Sequence, residues 1–347
     1  MSSPADTDRV YERFHLIVNG PALFNALVAG LELDVFGYLS RNPESTFEDL
    51  EHFTKIPPHK LRVLMLALCA TELIERHDGK YSNSAAAEDL LGEDGPDSWR
   101  QTLIGWQRVQ YPGFPYTTSA LRTGTNTALS EYEGTEPTLY QRLGRDPELE
   151  AVFHASMASF TMATMEGLLG NAELASVGHL LDIGGGDGTT AMRFAERYPA
   201  AKVTVFDQPS VKDLAGRTTL APGTDRVAFY GGNMFDDDFP RGADAILFSH
   251  VLEIFSAEQI AFLLSKAFDA LPAGGKVFIY GFNASDDEQG GVYAARLSLY
   301  MNVLATGNGM AYPRKDFETW LRQAGSGDVK SYPGLPYEHG LIMGVKK

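Results

Sequence analysis

The chain has 347 residues, of which 44% are apolar, 21% charged and 11% aromatic, and this excludes a disordered or collagen-like chain as its main state. Its 29 basic and 45 acidic residues leave a net charge of −16, which argues against nucleic acid or an anionic membrane surface as a partner. A single cysteine, Cys69, excludes an intrachain disulfide and a cysteine-based metal cluster.

At roughly 150 residues per domain the length suggests about two domains. The start, Met1 to Asp6, lacks the basic region of a secretory signal. The uncharged stretch from Leu16 to Leu31 contains Asn19, Pro21 and Asn25 and is short for a bilayer span. A soluble, cytoplasmic protein is therefore expected. Leu23, Leu27 and Leu31 recur at helical spacing. Thr46 is placed to cap a helix whose first turn holds Glu48 and Asp49. Pro57-Pro58 breaks the chain before a helix expected from Lys60 to Leu73, with Leu61, Leu64, Leu66 and Leu68 as its apolar face. His77-Asp78-Gly79 reads as a hairpin turn. Helix, turn, helix, hairpin is the order of a winged helix. Lys60 and Arg62 do not extend into a basic stripe, so residues 1–105 are expected to serve dimerisation rather than DNA binding. Residues 106–172 read as an aromatic helical linker, with Trp106, Tyr111, Tyr140 and Phe160 among its rings, which either fill a core or line a substrate cleft between two domains.

From residue 173 strands alternate with helices. Strands are expected at 179–183, 202–206, 227–230, 243–248 and 276–282, with a last one at 341–345. Ser256 with Gln259 forms a capping-box pattern before a helix from Ala257 to Leu271. This is the pattern of a parallel sheet with helices on both faces. The sharpest motif is Leu181-Asp182-Ile183-Gly184-Gly185-Gly186-Asp187-Gly188-Thr189, between a strand and a helix. Glycine is required where the backbone turns tightly and must approach a ligand closely. Thr189 stands where a dinucleotide fingerprint has glycine, and no Gly-Lys-Ser/Thr follows for a phosphate loop. Asp207 ends the next strand, where a carboxylate can accept both ribose hydroxyls of an adenosine. Together they point to a nucleoside-containing cofactor.

The glycine motif, Val205-Phe206-Asp207-Gln208-Pro209 and Gly231-Gly232-Asn233-Met234-Phe235 together resemble the S-adenosylmethionine-dependent O-methyltransferases of small molecules. The resemblance covers nearly the whole chain. It implies a doubly wound, mostly parallel seven-stranded sheet, an N-terminal homodimerisation part and S-adenosyl-L-methionine as cofactor, with S-adenosyl-L-homocysteine as product. By position, Gly184, Gly186 and Gly188 would surround the methionine part, Asp207 would bind the ribose, and Asn233 and Met234 would hold the adenine. The family usually has Asp where this chain has Asn233. Asp182, Gln208 and Ser249, inside or beside the matched motifs, join the cofactor set, and Thr161 falls where a hydroxyl meets the cofactor carboxylate. Phe153-His154-Ala155-Ser156-Met157 resembles a helix lining the substrate pocket, with Met162 further along. Tyr293, Arg296, Tyr300 and Met301 would lie on a helix over the pocket. Arg296 would meet an anionic group or pair with Asp286 or Asp287.

The catalytic position departs from the family. A histidine base is expected just after the fourth strand of the sheet, and this chain has Glu253 there, followed by Ile254 and Phe255. The two carboxylates that flank that histidine in plant members fall near Gly281 and Ala311. An unperturbed Glu taking a proton from a phenol is uphill by about 8 kcal/mol, against about 5 for His. O-methylation of a phenol therefore needs burial to raise Glu253, and a nitrogen or carbon nucleophile gains weight. His250, one turn earlier if the segment is helical, is the competing base. The other histidines show no metal-ligand spacing. The expected activity is methyl transfer to a small aromatic or heteroaromatic metabolite. Two alternatives stay open: a family member using the sulfonium for hydroxylation, decarboxylation or pericyclic chemistry, and a winged-helix regulator that senses a ligand.

Overall fold

The computed structural model describes residues 4–92, 99–209 and 224–347, so the first three residues of the expected N-terminal segment lie outside it. Two compact units emerge: residues 1–109 with 151–163, and residues 110–150 with 164–347. The expected linker, 106–172, is thus divided between them.

In the first unit, α1 (Pro4–Glu32) is a continuous helix of 29 residues. Pro21 lies inside it, and the Asn25 side chain donates to the Pro21 carbonyl at 2.7 Å. The uncharged stretch is thereby part of a longer element. Asp8–Glu32 is long and apolar enough to cross a membrane by composition, with a mean hydropathy of 1.5. Val28 and Leu31 are buried, whereas Val10, Phe14, Leu16 and Ile17 are exposed.

Next come α2 (Val35–Arg41), α3 (Phe47–Thr54) and α4 (Pro58–Ala70). Thr46 caps α3 as expected, its hydroxyl accepting from the Asp49 N–H while Asp49 accepts from the Thr46 N–H. Helix α4 stops three residues early because Glu72 adopts φ 58°, a left-handed turn out of the helix. Its buried stripe is Leu61, Leu64, Met65 and Leu68, the i, i+3, i+4, i+7 set. Leu66 is off that stripe and exposed. The hairpin β1 (Ile74–His77) and β2 (Lys80–Asn83) turns through Asp78 and Gly79, both at positive φ. Helices α5 (Ala85–Leu91) and α6 (Arg100–Gly105) follow.

The second unit opens with a tight 3-10 turn at Tyr111–Tyr116, where Pro112 and Pro115 remove the donors an α-helix needs. Helices α7 (Thr117–Thr123) and α8 (Leu139–Leu143) lead to α9 (Pro147–Leu169), whose residues are shared between the units. The rest alternates: β3 (His179–Ile183), α10 (Thr189–Arg197), β4 (Lys202–Asp207), β5 (Val227–Gly231), β6 (Ala245–Ser249), α11 (Ala257–Ala270), β7 (Lys276–Phe282), α12 (Val292–Tyr300), α13 (Arg314–Gln323), β8 (Ser326–Leu335) and β9 (His339–Lys346). Among the described residues the sheet has seven strands in the order β5-β4-β3-β6-β7-β9-β8. The first five are parallel, β9 runs antiparallel to β7, and β8 antiparallel to β9.

Strands β6 and β7 are continuous apolar runs because a parallel sheet is covered on both faces. Ile246 and Ile279 meet Ile260 and Leu264 of α11 in the core. Ser256 and Gln259 cap α11 as expected. Chain order reverses between β3 and β6, and the segments leaving the carboxyl ends of those two strands therefore flank a crevice, the usual place for a ligand in such sheets.

Candidate active site

The loop after β3 explains its glycines. Gly184, Gly186 and Gly188 have φ of 71°, 58° and 84°, the left-handed region that side chains avoid. A Cβ on Gly184 would come within 2.7 Å of Val251, and one on Gly188 within 2.7 Å of the Phe229 ring. A Cβ on Gly186 would meet nothing within 4 Å, so this loop turns an open backbone face outward. Gly188 then starts α10, whose first N–H groups need acceptors.

Asp207 ends β4 with its carboxylate folded onto this loop. Oδ2 accepts from the Gly186 N–H at 2.8 Å and Oδ1 from the Gln208 N–H at 2.6 Å. Gln208 itself is exposed. Beneath the loop Asp182 is fully buried, and neither of its oxygens has a hydrogen-bond partner among the described residues. Burial, and secondly the charge of Asp207, push its carboxyl up to about 7. Two carboxyl groups at neighbouring strand ends, one unsatisfied, suit a ligand that carries positive charge. S-adenosylmethionine, with its sulfonium and its ammonium donor, fits that acceptor and charge set.

Asn233 is occupied more locally than expected. Its amide oxygen accepts from the Phe235 N–H at 3.0 Å and its Nδ2 donates to Asp236 at 2.6 Å, an arrangement that shapes the turn after β5. One lone pair of the oxygen is left for an adenine amino group. Met234 is half-buried, its methyl 3.6 Å from where a Gly184 Cβ would be. Its carbonyl accepts from Lys266 at 2.9 Å.

Beyond β6 the chain does not continue as the α-helix that would put His250 one turn before Glu253. His250 has φ 55°, and only Leu252–Ile254 makes a short 3-10 turn. The two side chains therefore have separate surroundings. His250 Nε2 is 2.8 Å from His339 Nε2, on β9. His339 Nδ1 faces two carbonyls, of Pro336 at 3.0 Å and Tyr337 at 3.2 Å, so its proton sits on Nδ1 and its Nε2 accepts. His250 therefore donates from Nε2, and its Nδ1 takes the Ser249 hydroxyl at 3.3 Å. Burial holds His339 down to about 4 and His250 well below the usual histidine range. Both stay neutral at pH 7, with their nitrogens engaged, which is a poor arrangement for a base. His339 was not legible as a site residue, because 89 positions separate it from His250.

Glu253 is 3% exposed, and burial pushes its carboxyl up to about 8. A Cβ on Gly281 of β7 would lie 2.7 Å from its Oε1 and 3.1 Å from its Oε2. Glycine at 281, near where plant members of the resembling family carry a carboxylate, thus leaves room for the carboxylate of Glu253. The Met310 N–H donates to the Glu253 carbonyl at 2.9 Å, which fixes the turn.

A tyrosine-rich face adjoins this residue. The Glu253 charge reaches Tyr140, which burial pushes up to about 12. The Tyr140 hydroxyl donates to the Met301 sulfur at 3.9 Å, and Met301 and Tyr300 are buried. Arg296 donates to Gln110 at 2.6 Å, and the phenols of Tyr111, Tyr293 and Tyr300 surround its charge. Burial brings its guanidinium down to about 10. It does not pair with Asp286 or Asp287, which bind Arg314 and Ser285 instead. Tyr293 stacks on Phe282 with ring centroids 6.4 Å apart. Phe153, Met157, Thr161 and Met162 belong to the first unit, and all four are half-buried on α9.

Comparison with known proteins identifies the family. Residues 114–326 match the family model of the O-methyltransferase domain. The chain is 30% identical over 335 residues to the L-tyrosine C(3)-methyltransferase of Streptomyces lavendulae, covering 95% of this chain and 91% of that one. It is 31% identical over 322 residues to the 3-hydroxy-5-methyl-1-naphthoate 3-O-methyltransferase of Streptomyces sahachiroi, covering 92% and 91%. The apo crystal structure of the S-adenosylmethionine-dependent methyltransferase SibL superposes with a TM-score of 0.82 at 30% identity, over 96% of this chain and 98% of that one. A glycine loop above an unsatisfied aspartate, a carboxylate folded onto that loop from the next strand end and these relatives lead to one conclusion: the chain belongs to the O-methyltransferase domain family of S-adenosylmethionine-dependent methyltransferases.

Proposed function

We propose that the enzyme methylates a small phenolic metabolite and that Glu253 takes the phenol proton. The buried carboxyl beside Gly281 carries this reading. With Glu253 near 8, transfer from a phenol near 10 is uphill by about 2 units, or about 3 kcal/mol, instead of about 8 for an ordinary Glu. That is a workable general base. The cofactor supplies a methyl group activated on a sulfonium. The chain orients the acceptor, excludes water from Glu253 and receives the proton on a Glu253 oxygen. Positioning contributes the remaining rate in such an in-line displacement. Loss of the phenol proton activates the oxygen and equally the ring carbon beside it. Relatives whose names specify C(3)-methylation of tyrosine and 3-O-methylation of a hydroxynaphthoate support a shared phenolate step with different regiochemistry.

Gly184, Gly186, Gly188 and Asp182 serve the methionine part of the cofactor, Asp207 and Gln208 the ribose, Asn233 and Met234 the adenine, and Ser249 the strand end beside them. Tyr293, Arg296, Tyr300 and Met301 contact the acceptor. The family resemblance adds Thr161 to the cofactor contacts and Phe153, Met157 and Met162 to the acceptor contacts. His250 holds the β6 end through His339 rather than acting as base. The exposed apolar residues of α1 form a homodimer face, Ile17 being 74% exposed, and the protein is cytoplasmic without a nucleic-acid partner.

The test uses methyl-labelled S-adenosylmethionine with L-tyrosine, 3-hydroxy-5-methyl-1-naphthoate and N-acetylserotonin as acceptors. Labelled aromatic product, lost in Glu253→Gln, supports the reading. Transfer that survives Glu253→Gln undiminished removes Glu253 as base.

A further inference from the structure

Helix α12 carries Tyr293, Arg296 and Tyr300 at i, i+3 and i+7, one face of the helix. It starts at Gly291, which has no side chain to cap it. The first N–H groups of a helix need acceptors. Glu338 supplies them from 46 residues further along the chain. Its Oε1 accepts from the Val292 N–H at 2.7 Å and its Oε2 from the Ala294 N–H at 3.0 Å. Glycine is required at 291, where φ is 111° and a Cβ would lie 3.0 Å from the Ala294 Cβ and 3.1 Å from Glu338 Oε2.

Glu338 reaches this place through an unusual backbone. Tyr337 and Glu338 have φ of 58° and 62°, two successive left-handed residues that are not glycine. Such geometry persists where its surroundings over-determine it, and it marks functional positions more often than others. The Asn283 N–H donates to the Glu338 carbonyl at 2.9 Å, and the Tyr337 ring meets Tyr293 edge-on with centroids 5.8 Å apart. The next residue, His339, holds His250 beside Ser249. Three successive residues thus tie the start of α12 to the end of the strand that carries the catalytic turn.

We propose that Glu338 is a positioning residue for the methyl acceptor: it clamps the first turn of α12 and so sets Tyr293 and Arg296. This rests on the reading of α12 as the helix that faces the acceptor. A cavity of about 370 Å³, bordered by Asn283, Asp286, Gly291, Arg314 and His339, lies beside the carboxylate, so its removal opens a place for solvent rather than a hole in the core.

The experiment uses the full chain as wild type, Glu338→Ala, Glu338→Gln and Arg296→Gln. Hydrogen exchange is read over residues 291–300, affinity with S-adenosylhomocysteine, and kcat and KM with 3-hydroxy-5-methyl-1-naphthoate. Glu338→Ala is expected to speed exchange in the first turn about tenfold, the scale of a lost cap. It should raise the acceptor KM by a similar factor with kcat nearly unchanged and cofactor affinity within twofold. Glu338→Gln, which keeps one acceptor oxygen, should recover part of both. Unchanged exchange in Glu338→Ala overturns the clamp whether or not the probe turns over. Cofactor affinity falling as far as acceptor affinity overturns it too, because the residue would then be a general structural support. If Arg296→Gln raises KM and Glu338→Ala does not, the clamp does not position the acceptor. Faster exchange in Glu338→Ala, with KM unmoved in both variants, refutes instead the reading of α12 as acceptor-facing.

Discussion

Glu253→Gln should do two opposite things. Gln keeps the shape of the side chain and loses the ability to take a proton. The folded chain holds the Glu253 proton to about pH 8, against 4.5 for the free side chain. Stability from this group is therefore fully present below pH 4.5 and lost as pH rises through 8. At about 1.4 kcal/mol per unit, holding the proton that the unfolded chain would release costs the fold roughly 3 kcal/mol at pH 7, and the cost is nearer 5 at pH 9, where the buried side chain ionises. The Gln variant escapes that cost. Urea unfolding at pH 5, 7 and 9 should show the variant gaining on the wild type as pH rises. The rate should move the other way. A buried general base contributes about a hundredfold or more, so kcat should fall by that factor. The wild-type rate should climb about fiftyfold between pH 6 and pH 8 as Glu253 ionises, a rise the variant lacks. A stability difference that is flat in pH would refute the burial argument. A wild-type rate that falls above pH 8 would show the protonated carboxyl acting as a donor instead.

Three further outcomes follow from the same geometry. Gly188→Ala should destabilise the chain by about 2–4 kcal/mol, because strain and the Phe229 ring act together, whereas Gly186→Ala should cost only about 1 kcal/mol for strain alone; equal urea midpoints would contradict the loop geometry. The His339 ring is held neutral in the fold, to about 4 against 6.5 when free, so the wild type should lose about 3 kcal/mol as pH falls from 6.5 to 4. His339→Gln should flatten that slope in acid unfolding, and an unaltered slope would place the acid sensitivity elsewhere. Ile17→Lys on the exposed face of α1 should convert a dimer to a monomer in light scattering, and an unchanged mass would remove that face from the interface.

The parts legible in the sequence are those whose cause is local. Three glycines at positive φ announce a ligand loop because only glycine fits there, and Asp207 follows at the next strand end. The cap at Ser256 and the apolar runs of β6 and β7 are likewise written within a few residues. Strand β8 was not visible, since an exposed edge strand with Pro333 and Gly334 carries no apolar run. Leu66 is a leucine beside the helical stripe rather than on it, and the stripe passes through Met65. The separation of His250 from Glu253 rests on a left-handed histidine, which no residue type announces. The histidine pair and the Glu338 contact to α12 depend on strands and helices that only the fold brings together. Likewise Gly281 looked like a lost carboxylate, and its meaning appeared only when Glu253 was found against it.

Every role proposed for the site depends on the cofactor lying over the glycine loop. Titration calorimetry with S-adenosylhomocysteine on the wild type and on Asp207→Ala tests it. One site per chain in the wild type, with affinity lowered at least a hundredfold in the variant, is the predicted result, since the role proposed for Asp207 is to accept charged hydrogen bonds from the ribose, and its carboxylate ties down Gly186. Equal affinity in the two proteins would contradict the placement of the cofactor over the glycine loop.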